Sequence, residues 1–194
     1  MPNSALKIKT ATAQEVCVQF ELSELGRAQL QAGMSPLDFL NALVAHDAYS
    51  DAMQFLAWAL PKREAVWWSC LCARELVAGK EASKLTAGVQ AAEAWVYRPT
   101  EENRRRAEAA ANAITASHPA RWSAMAAFWS GGSIAPADAP AVKPAEDFTA
   151  KAVAGAVMMA AGLDPLECDA RQRTFVSSGL DIAKGGTGRP LARS

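Results

Sequence analysis

Two histidines, four cysteines and a short run of arginines are the residues of this chain whose types could do chemistry. His46 precedes Asp47 and His118 precedes Pro119, each at a helix junction, and neither has a cysteine or carboxylate at metal-ligand spacing. Both read as capping or surface groups ahead of a catalytic base. Cys70 and Cys72 form a C-x-C within a predicted helix. At about 100° per residue their side chains point about 200° apart, so they cannot close around one zinc, and no second pair follows. They read as core thiols. With Cys17 and Cys168 they make an irregular set, and the chain opens without an export-type segment, which implies free thiols in a cytoplasmic protein.

The densest constellation is around residues 63–75. Helical periodicity puts Arg63, Trp67, Cys70 and Arg74 on one face, with Glu64, Trp68, Leu71 and Glu75 beside them. One reading is a binding surface, because Trp and Arg dominate interface energetics. The other is a core organiser, with arginines stacked on tryptophan and paired with carboxylates of neighbouring helices. The second is preferred. Trp95, Trp122 and Trp129 join the same set of candidates. A small-ligand or enzymatic reading would need Arg63, Glu64, Arg74 and His46 to converge on one pocket.

Arg104-Arg105-Arg106 invites a nucleic-acid reading. Glu101 and Glu102 lie four residues before Arg105 and Arg106, and Glu108 four after Arg104, so paired charges on a solvated helix face are expected instead. Gly185, Gly186 and Gly188 do not match a P-loop, and neither G-x-S-x-G nor H-E-x-x-H occurs. No catalytic residue, cofactor or metal ligand is assigned.

The elements that must position these residues are helices. Of the 194 residues 51% are apolar, much of that alanine, the strongest helix former. The 20 basic groups balance the 20 acidic ones, which leaves no field to gather phosphates. The longest uncharged apolar stretch, 152–163, is too short to span a bilayer. Thr12 and Ser23 are placed to cap helices over 13–20 and 24–32, the latter closed by Gly33. Ser35-Pro36-Leu37-Asp38 opens the next, and another spans 48–60. The 61–78 segment is apolar nearly all round, which predicts a central, buried helix ended by Gly79. Helices over 81–97, 101–115 (capped by Thr100) and from Pro119 follow.

Helix starts near 61, 81, 100 and 119 hint at a solenoid pitch, but a compact antiparallel bundle fits the poor internal identities better. The domain reading is a helical core over 1–130, a Pro/Ala/Gly linker over 131–145, two C-terminal helices over 146–184 packed on the core, and a frayed tail over 185–194. Val153, Ala154, Val157, Met158 and Ala161 form an apolar face on the first C-terminal helix. It packs on the bundle or docks on a partner, and the 146–184 helices are the candidate surface for a homodimer.

Three stretches carry a resemblance: TAQEVCVQFELSELGRAQLQAGMSPLDFL, DAMQFLAWALPKREAVWWSCLCAR, and WSGGSIAP followed by prolines and KAVAGAVMMAA. The most specific pieces run from Leu60 to Trp68 and from Trp129 to Ser133. In order and over nearly the whole length, the chain resembles a bacterial, all-helical family of unknown function, some members of which sit beside type VI secretion genes. The resemblance implies a non-enzymatic accessory or adaptor protein and supplies no catalytic residues. The combined expectation is an all-α, cytoplasmic protein that binds a protein partner in a groove between helices, with no nucleic acid and no membrane insertion.

Overall fold

The computed structural model of the chain describes residues 6–80, 82–136 and 138–189. Among these the secondary structure is entirely helical, so the all-α reading holds. In chain order the helices are α1 (Ala13–Cys17), α2 (Glu24–Gln29), α3 (Pro36–Ala45), α4 (Tyr49–Ala59) and α5 (Lys62–Arg74). Then come α6 (Ala82–Tyr97), α7 (Glu101–Ala113), α8 (Pro119–Phe128), α9 (Phe148–Gly162) and α10 (Cys168–Ala183). Contacts divide the chain into two units. Unit 1 holds the chain up to Pro61 and from Ala161 onward, and unit 2 is Lys62–Ala160. The dividing line falls within the last turn of α9, so the two C-terminal helices are apportioned to different units.

In unit 1, α4 packs against α1, α3 and α10, and α2 against α3. The apolar stripes supply the reason. Phe39, Leu40 and Leu43 of α3, Phe55 and Leu56 of α4, and Phe175, Val176 and Ile182 of α10 are all buried. The Phe39 and Phe55 rings meet edge-to-face at 5.1 Å. Polar caps fix the helix starts. Ser35 Oγ accepts the Asp38 N–H at 3.2 Å, and Ser23 Oγ accepts the Gly26 N–H at 3.0 Å. Asp51, buried at the start of α4, accepts from both the N–H and the hydroxyl of Ser23, at 2.8 and 2.6 Å. Gly26 is required there, because a Cβ would stand 2.6 Å from the Asp51 carboxyl carbon.

In unit 2, α6 and α8 each pack against the other and against α5 and α7. Buried alanines (Ala92, Ala107, Ala111, Ala120 and Ala124 among them) let the axes approach closely. At Gly88 of α6 an added Cβ would lie 2.7 Å from the Ile114 Cδ1 and 3.3 Å from the Ala120 carbonyl oxygen. On α9, Val153, Ala154, Val157 and Ala161 are buried and Met158 is 39% exposed.

Several local expectations differ from the structure. Helix α1 ends at Cys17 rather than 20, and α2 ends at Gln29 with Leu30 extended, so Gly33 does not close it. The helix expected over 61–78 ends at Arg74. The chain then turns, with Leu76 and Val77 N–H groups donating to Ala73 and Arg74 carbonyls, and the Leu76 carbonyl is engaged by His118. The tail expected to fray from 185 is held as far as Gly188, which is buried. Its N–H donates to Asp181 at 2.8 Å and its carbonyl accepts the Ser178 hydroxyl at 2.6 Å. Residues 190–194 of that tail, Glu81 and Ala137 lie outside the described residues.

Candidate functional site

Helix α5 brings Arg63, Trp67, Cys70 and Arg74 to one side, and α6 lies along it. The Arg63 Nε donates to the Val96 carbonyl at 2.5 Å. One turn on, the Trp67 ring meets Tyr97 edge-to-face at 5.8 Å. At the far end of α5 the guanidinium of Arg74 forks onto Glu93, Nε to Oε1 at 3.2 Å and Nη2 to Oε2 at 2.5 Å. That hydrogen-bonded carboxylate pushes Arg74 above its already high ordinary pKa. Arg63 and Arg74 are exposed, Trp67 is half-buried, and Tyr97 is 65% exposed. The result is a row of aromatic and guanidinium groups whose orientations are fixed by α6 while their faces stay open.

The eight candidates do not form one site. Trp68 is sealed in the core, Trp95 is buried, and Glu64 is half-buried on α5. Trp122 and Trp129 make a separate aromatic chain, with ring centroids 6.3 Å apart, and Trp129 continues to Phe148 at 5.2 Å. His46 belongs to unit 1. It ends α3, with Nδ1 2.9 Å from the Ala42 carbonyl oxygen. His118 caps α8. Its Nδ1 accepts the Ala120 N–H at 3.1 Å, which makes Nε2 the protonated nitrogen facing the Leu76 carbonyl at 3.2 Å.

Three of the four thiols are held toward the protonated form. Burial pushes Cys70 and Cys72 well above the ordinary thiol value, and it raises Cys17 to about 11 with a smaller contribution from Asp51. No group of three or more His, Cys, Asp or Glu among the described residues is arranged to hold a metal ion. The groups left open on the α5–α6 face, Tyr97 and the rest of the Arg63 guanidinium, can stack and donate hydrogen bonds.

Tyr97 and Glu93 were not singled out from sequence. Tyr97 is the last residue of α6, next to Arg98-Pro99, so its side chain stands at a helix end where a 3.6-residue stripe says least about exposure. The larger surprise is Arg104, read above as solvated and in fact 3% exposed. Its Nη1 donates to the Phe128 carbonyl and Nη2 to the Ser133 carbonyl, each at 2.7 Å. Nε and Nη2 also fork onto Glu101 at 2.6 Å. Arg105 adds a bond to the Ala135 carbonyl at 2.7 Å, and both guanidinium groups lie over the Phe128 ring. Together they fasten the segment after α8 to unit 2. That segment is closed on itself by the Ile134 N–H donating to the Val142 carbonyl at 2.7 Å.

A model described as a family of unknown function (DUF6931) matches residues 39–183, from within α3 to the end of α10. No curated protein matches the chain. No solved structure matches it either.

Proposed function

The chain belongs to the DUF6931 family of unknown function, and from that premise we propose that it is a non-enzymatic accessory protein that binds another protein through the α5–α6 face. The observation that carries this is Tyr97, 65% exposed and held edge-on against Trp67, in a row with the exposed Arg63 and Arg74. Tyr, Trp and Arg are the types that dominate interface hot spots. Here their rotamers are already fixed by α6, so little side-chain entropy is lost on docking. The reading places the protein in the bacterial cytoplasm, with type VI secretion machinery as the first place to seek the partner. No helix among the described residues is long and apolar enough to cross a membrane.

The test is affinity capture from the native host, comparing the full chain with Trp67→Ala and Tyr97→Ala. A partner retained by the parent should bind each variant about 30-fold more weakly, as expected for a hot-spot side chain worth about 2 kcal/mol. The competing reading is a ligand pocket built on Arg63, Glu64 and Arg74 of unit 2. It predicts a thermal shift with some member of a metabolite panel, abolished by Arg74→Ala. That result, with capture unaffected by Tyr97→Ala, would replace the interface reading.

A further inference from the structure

We propose that the N-terminal part of unit 1 is a self-association surface, and that its occupant is a second copy of this chain arranged about a two-fold axis. An open groove of about 490 Å³ lies along α1 and the segments flanking α2, with Cys17, Phe20, Leu22 and Leu30 in its walls. It is preformed, because Phe20 is clamped by stacking on Trp58 at 6.1 Å and by an edge contact with Phe55 at 6.5 Å. Val18 also lines it and is 83% exposed, a stiff β-branched side chain standing in water beside an apolar hollow.

Charge decides the occupant. Glu21 and Arg27 both line the groove, both are exposed, and neither side chain has an ion-pair or hydrogen-bond partner among the described residues. One patch therefore carries a knob, a hollow, a free anion and a free cation. An apolar knob beside a hollow, with one charge of each sign, is the set of groups that a two-fold pairing of this patch with itself needs. Val18 of each copy enters the hollow of the other, and Glu21 of each faces Arg27 of the other. These groove residues all precede the portion matched by the family model, so the pairing is a property of this N-terminal segment and is separate from the α5–α6 face.

Sedimentation velocity of the full chain over a concentration series tests it. The parent chain should dimerise, and Val18→Asp should give a monomer with an unchanged circular dichroism spectrum. Glu21→Arg and Arg27→Glu should each weaken dimerisation at least about tenfold, because two-fold symmetry turns both attractive pairs repulsive. Mixing those two variants should restore a dimer containing one copy of each, since every facing pair is again of opposite sign. A parent chain that stays monomeric at about 100 µM, within the range where weak encounters register, overturns the proposal. So does a dimer indifferent to Val18→Asp, a dimer lost instead with Met158→Asp, or a mixture in which the two reversals fail to recombine.

Discussion

Replacing Arg104 by methionine keeps most of the buried stem and removes every donor. The guanidinium is 3% exposed and bonds the Phe128 carbonyl, the Ser133 carbonyl and both oxygens of Glu101. Glu101 is 60% exposed on its side chain, so water takes over when its partner is lost, and little of the cost arises there. The two carbonyls differ. One ends α8 and is buried, the other lies on the strapped segment and is partly buried, and both lose their donor to methionine methylenes. An unsatisfied buried acceptor costs about 1–3 kcal/mol, so the variant should lose about 2–4 kcal/mol after partial relaxation. For a chain of this size that is a drop in Tm of roughly 5–15 °C.

Denaturant titration measures the loss, and hydrogen exchange locates it. Val142 and Ala135 N–H groups, both bonded to Ser133 Oγ at 3.1 Å, should exchange faster in the variant than in the parent. Arg104→Lys should fall between, because an ammonium reaches one acceptor well but cannot fork. If Arg104→Met unfolds within about 0.5 kcal/mol of the parent, the size of an ordinary surface substitution, with exchange at 135 and 142 unchanged, the guanidinium does not hold the strap.

Four further outcomes follow from the same geometry. Gly26→Ala drives a methyl to 2.6 Å from the Asp51 carboxyl carbon and should cost about 1–3 kcal/mol in thermal unfolding, whereas the same change at Gly155, with nothing within 4 Å, should stabilise by up to about 1 kcal/mol. His118→Ala removes the α8 cap and the donor to Leu76, and a loss of about 1–2 kcal/mol is expected by denaturant titration. With a thiol-specific disulfide reagent at about pH 8, Cys17 should carry about a hundredfold less thiolate than an ordinary cysteine, and Cys70 and Cys72 should react only on unfolding. Mainly through its hydrogen bond, Arg104 holds the Glu101 carboxyl below its ordinary 4.5, so that stabilisation is present above pH 4.5 and is lost as pH falls through the lowered value. The denaturation midpoint of Glu101→Gln should therefore fall less steeply in acid than that of the parent.

Helix starts were the most legible part of the fold, because a cap is a local device. Ser23, Ser35 and Thr100 each accept the backbone N–H that their place ahead of a helix foretold, and His118, read as a capping or surface group, does the same. Partnership between helices was not legible. The stripe on α10 says that one face must be covered but not that α4, more than a hundred residues earlier, is among the helices packing on it. The 61–78 helix illustrates the same limit. Its apolar circumference was plain, but it stops at Arg74, and a carbonyl two residues later is bonded by His118 across unit 2. On the α5–α6 face, the helical period brought Arg63, Trp67 and Arg74 together correctly. Their orientation depends on Val96, Tyr97 and Glu93, which only the pairing of α5 with α6 supplies.

The three consecutive arginines show why charge spacing alone misleads. Neighbours on a helix diverge by about 100°, so three in a row must face three environments whatever their chemistry. Arg105 makes the i,i+4 contact with Glu101 that spacing suggests, at 3.1 Å. Arg106 points away and has no side-chain partner among the described residues, so the pairing with Glu102 is not made. Arg104 turns inward, and once inside it cannot reach Glu108. It takes Glu101 three residues earlier, along with two carbonyls that have no signature in the sequence. A buried arginine is tolerable only if nearly every donor finds an acceptor, so the fold must bring those carbonyls to it. The segment following α8 is therefore held where it is by the need to satisfy one cation, and its low content of large side chains, read from sequence as a linker, lets its backbone approach that closely: a Cβ at Gly132 would stand 2.8 Å from the Arg104 Nε.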